Sequence, residues 1–169
     1  MHDVVTGQHT RRVGEAAARM ASILGLSAAQ IDLIRRAAPL HDVGKLGIPD
    51  SILKKNGPLT EEEFVLVKSH TTIGARMLAG GESELIRIAR SIALSHHERW
   101  DGRGYPEGLC GEEIPLEARI VALADYVDAL AHDRPYRAAW PAERIHAEIR
   151  QQAGTHFDPG VVDAFFRMV

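Results

Sequence analysis

Apolar residues recur every three or four positions along most of the chain, which is the spacing of one face of an α-helix. The first such stretch covers residues 7–24 and has its apolar stripe at Val13, Ala16, Ala17, Met20 and Leu24. Thr6 is suited to cap this helix, and Gly25 is suited to end it. A second helix follows from Ser27, and Pro39 predicts a bend in its last turn.

The same spacing predicts further helices in the rest of the chain. They cover residues 60–80, 83–97, 115–131, 141–153 and 159–169. Thr60 and Glu63 form a capping box at the start of the first of these. Glycine and proline are concentrated in residues 44–59 and 98–114, which predicts a loop in each place. Because no stretch alternates between apolar and polar residues with the period of a β-strand, the predicted fold is all-α.

The length of 169 residues is enough for one domain with a buried core, so residues 1–169 are predicted to form a single domain. The formal net charge of -3 gives no indication of a general polyanion binder such as a DNA-binding protein. Cys110 is the single cysteine and cannot form a disulfide within the chain, so we expect a reducing, cytoplasmic setting. No apolar run approaches the ~20 residues that span a bilayer, and the N-terminus lacks a signal-peptide pattern.

Histidine is the unusual feature of the composition, since several of the nine histidines stand in tight local groups. The apolar spacing that leads up to His41 places its imidazole on the inward side of a helix, directly before Asp42. Burial of both groups is unfavourable unless something compensates them, and a bound metal ion would do so. For this pair alone, a buried histidine with its own partner beside a capping aspartate is the alternative. Gly44 is expected to end or bend the helix.

Asp125 lies in the middle of a helix that is apolar on nearly every side, where capping does not explain a carboxylate. A buried arginine pair is one alternative, and Arg12, one turn after His9, either pairs with an acidic neighbour or is solvated. Five helical segments each offer histidine or aspartate at an apparently inward position. These residues are His9, His41, Asp42, His70, His96, His97 and Asp125.

This set favours a metal centre over separate buried side chains. Imidazole and carboxylate without thiolate suit Fe, Mn or Zn, and the number of ligands exceeds the need of one ion. Two ions sharing a bridging carboxylate, about 3.5–4 Å apart, can generate hydroxide and hold the attacking and leaving oxygens of a phosphoester. Lys45 adds a compact positive charge suited to a non-bridging phosphate oxygen.

The His41-Asp42 pair, with His9 before it and Asp125 after it, resembles the HD superfamily of metal-dependent phosphohydrolases. The string HHERWDGRGYP at residues 96–106 is similar to the signature of the HD-GYP branch of that superfamily. The strings DRPYR and GTHFDP, which begin at Asp133 and Gly154, match the same branch. The resemblance covers essentially the whole chain and implies an HD-domain helical bundle with a long loop, residues 98–114, hereafter the GYP loop.

The resemblance implies hydrolysis of the bacterial second messenger cyclic di-GMP to linear pGpG, and in some members on to GMP. It implies two divalent metal ions, Fe or Mn, with Zn, Ni and Mg left open. All seven histidines and aspartates of the set above would be ligands, with Asp42 as the bridge. His41, Asp42 and Lys45 are therefore the predicted catalytic residues.

The resemblance also implies residues that bind substrate. Arg134 and Arg137 match positions that hold substrate phosphate, and Lys45 would assist there. Asp128 lies one turn from Asp125 and is expected to face the same cavity. Tyr105 either stacks on a guanine or packs the GYP loop against the body of the domain. Nothing in the sequence indicates that His132, His146 or His156 binds metal. They are predicted to be a loop residue, a surface residue and a structural residue, respectively.

The resemblance also suggests partners, and the chain differs from some family members at one position that concerns the metals. Similar domains usually follow a receiver or sensory domain, so we expect a longer parent chain, and the GYP loop is a candidate contact for such a domain or a diguanylate cyclase. A homodimer is left open. Val5 stands where some members carry a glutamate that recruits a third metal, so two metals are predicted and complete degradation to GMP is in doubt. The alternatives are a phosphohydrolase of another cyclic dinucleotide and a non-catalytic cyclic di-GMP sensor.

Overall fold

The structure is a computed structural model that describes residues 7–133 and 138–169. Within these ranges the chain is helical and has no strand, which confirms the all-α prediction. The α-helices are Gly7–Ile23 (α1), Ala28–Ala37 (α2), Asp50–Leu53 (α3), Glu61–Lys68 (α4), His70–Met77 (α5), Glu84–Ser95 (α6), Leu116–Ala131 (α7), Ala142–Gln152 (α8) and Pro159–Phe166 (α9). No helix in the described ranges combines the length and the apolar composition that a membrane span requires.

Four helices supply much of the core, and residues of α8 and α9 join it. Helix α1 packs against α2 and α7, and α6 packs against the same two helices. Their contact surfaces include several alanines, which permit a close approach of the helix axes. The buried residues of this core include Val13, Ala17, Met20, Ala37, Ala89, Ile92, Ile120, Leu123 and Ala124. Close packing of these four helices brings their ends near one another on one side of the domain.

Capping boxes begin two of the helices, and the one predicted at Thr60 and Glu63 is confirmed. Ser27 accepts a hydrogen bond from the backbone N–H of Gln30, and the Gln30 side chain returns to the N–H of Ser27, which completes a capping box at α2. Thr60 and Glu63 make the same reciprocal pair at α4. Thr6, predicted to cap α1, lies outside the described residues.

The prediction of one continuous helix over residues 60–80 is wrong, because the helix breaks at Ser69 into α4 and α5. The Ser69 hydroxyl donates to the carbonyl of Leu66 at 2.6 Å, and such a local hydrogen bond competes with regular helix geometry. The next helix therefore begins at His70 in a new direction. Apolar spacing of three and four residues continues across the break, so it gave no indication of it.

The predicted loop over residues 44–59 is also partly wrong. It contains a 3-10 helix over Val43–Gly47 and the short helix α3. Helix α2 ends at Ala37, and a 3-10 helix over Ala38–Leu40 carries Pro39. Gly44, predicted to end or bend the α2 helix, instead lies where the chain meets α5, and a Cβ there would overlap the carbonyl oxygen of His70 and the backbone nitrogen of Gly74.

Gly44→Ala should destabilise the domain, because the new methyl group meets backbone that cannot move aside. Overpacking of this kind typically lowers the free energy of unfolding by about 1–3 kcal/mol. Gly7→Ala is the matched control, since nothing lies within 4 Å of a Cβ at Gly7. Thermal unfolding followed by circular dichroism measures both variants, and a Gly44→Ala protein as stable as Gly7→Ala would contradict the contact.

Candidate metal centre

The seven predicted ligands come together at the ends and inner faces of five segments. His9 lies on α1, Asp125 on α7 and His70 at the start of α5, whereas His41-Asp42 and His96-His97 lie in the turns that follow the Ala38–Leu40 3-10 helix and α6. They form two groups, and the ligand atoms within each group lie within 4.8 Å of one another. The first group is Asp42, His70, His96 and His97, and the second is His9, His41 and Asp125.

Asp42 joins the two groups through its two carboxylate oxygens. Its Oδ1 lies 3.4 Å from Nε2 of His70 and 3.8 Å from Nε2 of His96. Its Oδ2 lies 3.4 Å from Nε2 of His41 in the other group. A carboxylate with one oxygen toward each group has the arrangement that a bridging ligand of two cations requires.

Hydrogen bonds to the backbone orient three of the imidazoles. Nδ1 lies 2.8 Å from the carbonyl of Ala38 for His41 and 2.7 Å from the carbonyl of Val67 for His70. His96 contacts the carbonyl of Ile92 in the same way, at 3.0 Å. A carbonyl only accepts, so Nδ1 of each ring carries a proton, and Nε2 is the atom that each ring directs to the centre.

His9 is oriented by a carboxylate. Its Nδ1 lies 2.7 Å from Oδ2 of Asp128, while its Nε2 lies 3.3 Å from Oδ1 of Asp125. A carboxylate behind a histidine fixes the ring and raises its basicity toward a metal. Asp128 also accepts hydrogen bonds from Nε and a terminal nitrogen of Arg12, at 2.5 and 3.0 Å. Arg12 is therefore paired, and it reaches the centre only through Asp128.

Two buried atoms in the centre make no hydrogen bond. They are Nε2 of His41 and Oδ1 of Asp42, and both belong to residues that are at most 9% exposed. Buried polar atoms without a partner are rare and unfavourable in folded proteins. Both atoms are Lewis bases that face the space between the two groups, so the donor set fits divalent cations there.

The pKa shifts match the protonation states that metal ligands need. Burial lowers the pKa of His96 to about 3 and lowers that of His97 well below its usual value, so both rings are neutral at pH 7. Burial also lowers the pKa of His70. Although burial acts in the opposite direction for Asp42, the neighbouring His41 and Lys45 hold its pKa well below the usual range.

Two histidines of the second group behave differently. The carboxylates of Asp125 and Asp128 raise the pKa of His9 to about 9. Burial opposes protonation of His41, but the Asp42 carboxylate beside it outweighs burial and raises its pKa as well. Without a cation, His9 therefore holds a proton that compensates these aspartates, and the shift of the His41 pKa acts in the same direction.

Lys45 and Tyr105 flank the centre on two sides. Nζ of Lys45 lies 2.5 Å from Oδ2 of Asp42, and its side chain is 26% exposed. A cavity of about 480 Å³ opens beside Asp42 and Lys45. On the other side, the Tyr105 ring stacks on the His97 ring with centroids 4.9 Å apart and planes 18° apart. Tyr105 thus packs the GYP loop against a predicted metal ligand.

The remaining predicted residues lie beside the centre, away from it, or outside the described ranges. Arg134 and Arg137, predicted to hold phosphate, and Val5 fall outside the described residues. Asp128 lies beside the centre as expected, but its oxygens contact His9 and Arg12. His146, predicted on the surface, is half-buried against the rings of Phe165 and Phe166.

The fold and the two groups of histidines and aspartates define a helical domain whose buried donor atoms suit divalent metal ions. The chain belongs to the HD domain family, whose family model matches residues 1–161, and the predicted resemblance to its HD-GYP branch is confirmed.

Relatives of known name include a cyclic di-GMP phosphodiesterase of Thermotoga maritima, 48% identical, with 98% of this chain and 45% of the relative covered. The cyclic di-GMP phosphodiesterase response regulator RpfG of Xanthomonas campestris is 49% identical, with 96% of this chain and 43% of the relative covered. The 3'3'-cGAMP-specific phosphodiesterase 2 of Vibrio cholerae is 44% identical, with 94% of this chain and 30% of the relative covered. The chain thus spans less than half the length of these relatives.

A solved structure shares the fold. An HDG"Y"P protein of Bdellovibrio bacteriovorus superposes with a TM-score of 0.73 at 20% identity, covering 95% of this chain and 51% of that chain. At this identity the likeness concerns the fold alone. It supports the helical arrangement that positions the ligand groups.

Metal binding to this centre should weaken as the pH falls. A cation must displace the proton that His9, with its pKa of about 9, holds in the metal-free protein, and the raised pKa of His41 acts in the same direction. Each displaced proton should change the apparent affinity about tenfold per pH unit below the histidine's pKa. Calorimetric titration with Mn²⁺ at pH 6, 7 and 8, in buffers of different ionisation enthalpy, counts the protons released. An affinity independent of pH over this range would contradict the assigned protonation states.

Proposed function

We propose that this domain is a metal-dependent phosphodiesterase that hydrolyses cyclic di-GMP to linear pGpG. The observation that carries the proposal is the Asp42 carboxylate, which has one oxygen toward each of two histidine groups. His9, His41, Asp42, His70, His96, His97 and Asp125 would hold two divalent ions. Both ions are proposed to be Fe or Mn, with Zn, Ni and Mg as alternatives. The names of the relatives from Thermotoga and Xanthomonas support the substrate.

Two divalent ions, when bound, would supply Lewis acidity toward the phosphodiester and lower the pKa of a water molecule. The chain contributes position and charge. Backbone carbonyls hold His41, His70 and His96 with their Nε2 atoms inward, so little reorganisation is needed on binding. Lys45 is close enough to Asp42 to neutralise a non-bridging oxygen of a phosphate bound beside it.

The cavity beside Lys45 supports a nucleotide substrate. Its volume of about 480 Å³ falls in the range of small-molecule sites, which are commonly lined by apolar groups with a few polar ones. Leu40, Leu46 and Ile48 form apolar walls, and Lys54 lines the cavity as an ion pair with Asp50 at 2.6 Å. A purine base fits such walls while its phosphate lies at Asp42 and Lys45. Arg134 and Arg137 stay predicted contacts of the phosphates.

A second cyclic dinucleotide is favoured by a specific observation. The Vibrio cholerae relative at 44% identity is named as specific for 3'3'-cGAMP, and it shares nearly the whole of this chain. Both substrates present the same phosphodiester chemistry and differ in one purine. A non-catalytic sensor is the third candidate, and the full set of ligands argues against it, since a protein that only binds ligand has no need of them.

The length of the relatives supports a larger parent protein. We propose that residues 1–169 are a catalytic domain that is joined to a receiver or sensory domain in a cytoplasmic signalling protein. The relative named as a response regulator supports this arrangement. The GYP loop is the proposed contact for a regulatory domain or a diguanylate cyclase, and a homodimer is compatible with the same face.

Asp42→Asn and His41→Ala should abolish metal binding and hydrolysis together. The first substitution keeps the shape of the side chain but removes the charge that both groups share, and the second removes an inward Nε2. Metal content by elemental analysis, and product analysis with cyclic di-GMP and 3'3'-cGAMP, measure the two effects. His146→Ala is the control, because His146 lies against Phe165 and Phe166. Full turnover by either variant, or no linear product from the parent protein loaded anaerobically with Mn²⁺ or Fe²⁺, would refute the proposal.

Lys45→Met should lower kcat while leaving metal content unchanged. The substitution removes the cation beside Asp42 but keeps an unbranched side chain of comparable length. Loss of one electrostatic contact to a reacting phosphate typically lowers kcat about 10²–10³-fold. Lys54→Met is the control, because Lys54 lines the same cavity but pairs with Asp50, and this substitution should act mainly on KM. Equal kcat values for the parent protein and Lys45→Met would exclude this role.

A further inference from the structure

Glu98, which directly follows His97, is a buried carboxylate that the ligand set does not use. It is 2% exposed. Its Oε1 accepts hydrogen bonds from the backbone N–H groups of Glu107 and Gly108, at 2.7 and 3.2 Å, and its Oε2 accepts one from Leu109 at 3.1 Å. Buried carboxylates normally need a partner. Here the partners are three backbone N–H donors from a later part of the GYP loop.

The hydrogen bonds of Glu98 fold the GYP loop back over its own start. Gly104 lies on the backbone of Glu98 and Arg99, where a Cβ would overlap both. The N–H of Tyr105 donates to the carbonyl of His97 at 3.2 Å. Two sets of hydrogen bonds therefore position Tyr105. One is its own backbone bond to His97, and the other joins Glu98 to residues 107–109, which follow Tyr105 closely in sequence.

His97 differs from the other histidines of the centre. His9, His41, His70 and His96 each have a hydrogen-bond partner at Nδ1. Among the described residues, the ring nitrogens of His97 have none, and its ring contacts other rings. Those rings belong to His70, His96 and Tyr105, at centroid distances of 5.1, 4.1 and 4.9 Å. Of these three, Tyr105 alone is not itself a predicted ligand.

We propose that Glu98 is a positioning residue for His97. Its carboxylate holds residues 107–109, this keeps Tyr105 stacked on His97, and the stacked ring fixes the imidazole that the other histidines fix by hydrogen bonds. The proposal rests on the metal-binding role of His97. It assigns the GYP loop a structural duty toward the centre, in addition to any contact with substrate or partner.

Other contacts secure the outer part of the GYP loop without reaching His97. Arg99 pairs with Asp101 through two hydrogen bonds, and the Glu113 carboxylate accepts the N–H of Cys110. Arg119 lies over the Trp100 ring and pairs with Asp158. Loss of the Glu98 contacts should therefore release residues 105–109 while the rest of the GYP loop stays attached.

Glu98→Gln and Glu107→Gln make a matched pair, since both replace a glutamate of the GYP loop by its amide, and Glu107 is exposed. In Glu98→Gln, an amide group faces an N–H donor and the charge is lost. Hydrogen exchange at the amides of residues 107–109 should become at least about tenfold faster, because hydrogen bonds to a charged group contribute about 1.5–3 kcal/mol each. Glu107→Gln should leave these rates as they are in the parent protein.

Titration with Co²⁺ then separates positioning from loop stability. Glu98→Gln should weaken one of two Co²⁺ sites about 10–100-fold and change its visible absorption spectrum, as for loss of a group that orients a ligand. Glu107→Gln should bind like the parent protein. Faster exchange with unchanged Co²⁺ affinity and spectrum would overturn the proposal. Unchanged exchange would overturn it as well, because Glu98 would then not hold residues 107–109.

Tyr105→Leu tests the same path if Glu98→Gln fails to fold. It removes the ring from His97 and should weaken the same Co²⁺ site. The double variant Glu98→Gln/Tyr105→Leu should bind Co²⁺ no less tightly than whichever single variant has the lower affinity, because both substitutions act on one path. Normal Co²⁺ binding by Tyr105→Leu would overturn the proposal. Failure of the proposed hydrolysis is distinguishable, because the parent protein would then leave cyclic dinucleotides intact while Co²⁺ titration still separated Glu98→Gln from Glu107→Gln.

Discussion

The buried carboxylate of Asp42 is the constraint on which the centre depends. Its two oxygens face histidines from both ligand groups, and one oxygen has no hydrogen bond. A carboxylate in this position is unfavourable unless cations compensate it. Lys45 supplies one cation at Oδ2, on the side that opens to the cavity. Oδ1 is left for the interior, so the position of Asp42 requires positive charge where the histidine nitrogens converge.

The packing around Asp42 explains why the chain can hold it there. The turn that carries His41 and Asp42 approaches α5 so closely that Gly44 has no room for a side chain. The break at Ser69 lets α5 begin at His70 and face Asp42 directly. Glycine and a helix break are local features that look like flexibility in a sequence. Here they give close contacts between backbone segments, and closely packed segments hold side chains in place more accurately than loosely packed loops do.

The sequence was informative about helices and ligands, and less so about their supports. Spacing of apolar residues predicted most helices within a few residues, because burial of one face dominates helix placement. The seven candidate ligands were recognisable from their residue types and inward positions, and the structure brings them together in two groups. The break at Ser69 was not, since it depends on one local hydrogen bond within an unbroken apolar pattern. Glu98 was not singled out either, because three backbone partners up to eleven residues away leave no trace in residue types.

Arg12 and Asp128 show how such supports shape the electrostatics. Asp128 stands one turn from Asp125, and the sequence suggested that both face the cavity. Its oxygens instead contact Arg12 and His9, and these hydrogen bonds outweigh burial and lower the pKa of Asp128 to about 2. The negative charge of Asp128 is thus balanced locally by Arg12, which leaves Asp42 and Asp125 as the net anionic ligands. Two divalent ions would exceed these two charges, and with Lys45 the centre would carry the positive excess that a substrate with two anionic phosphodiester groups needs.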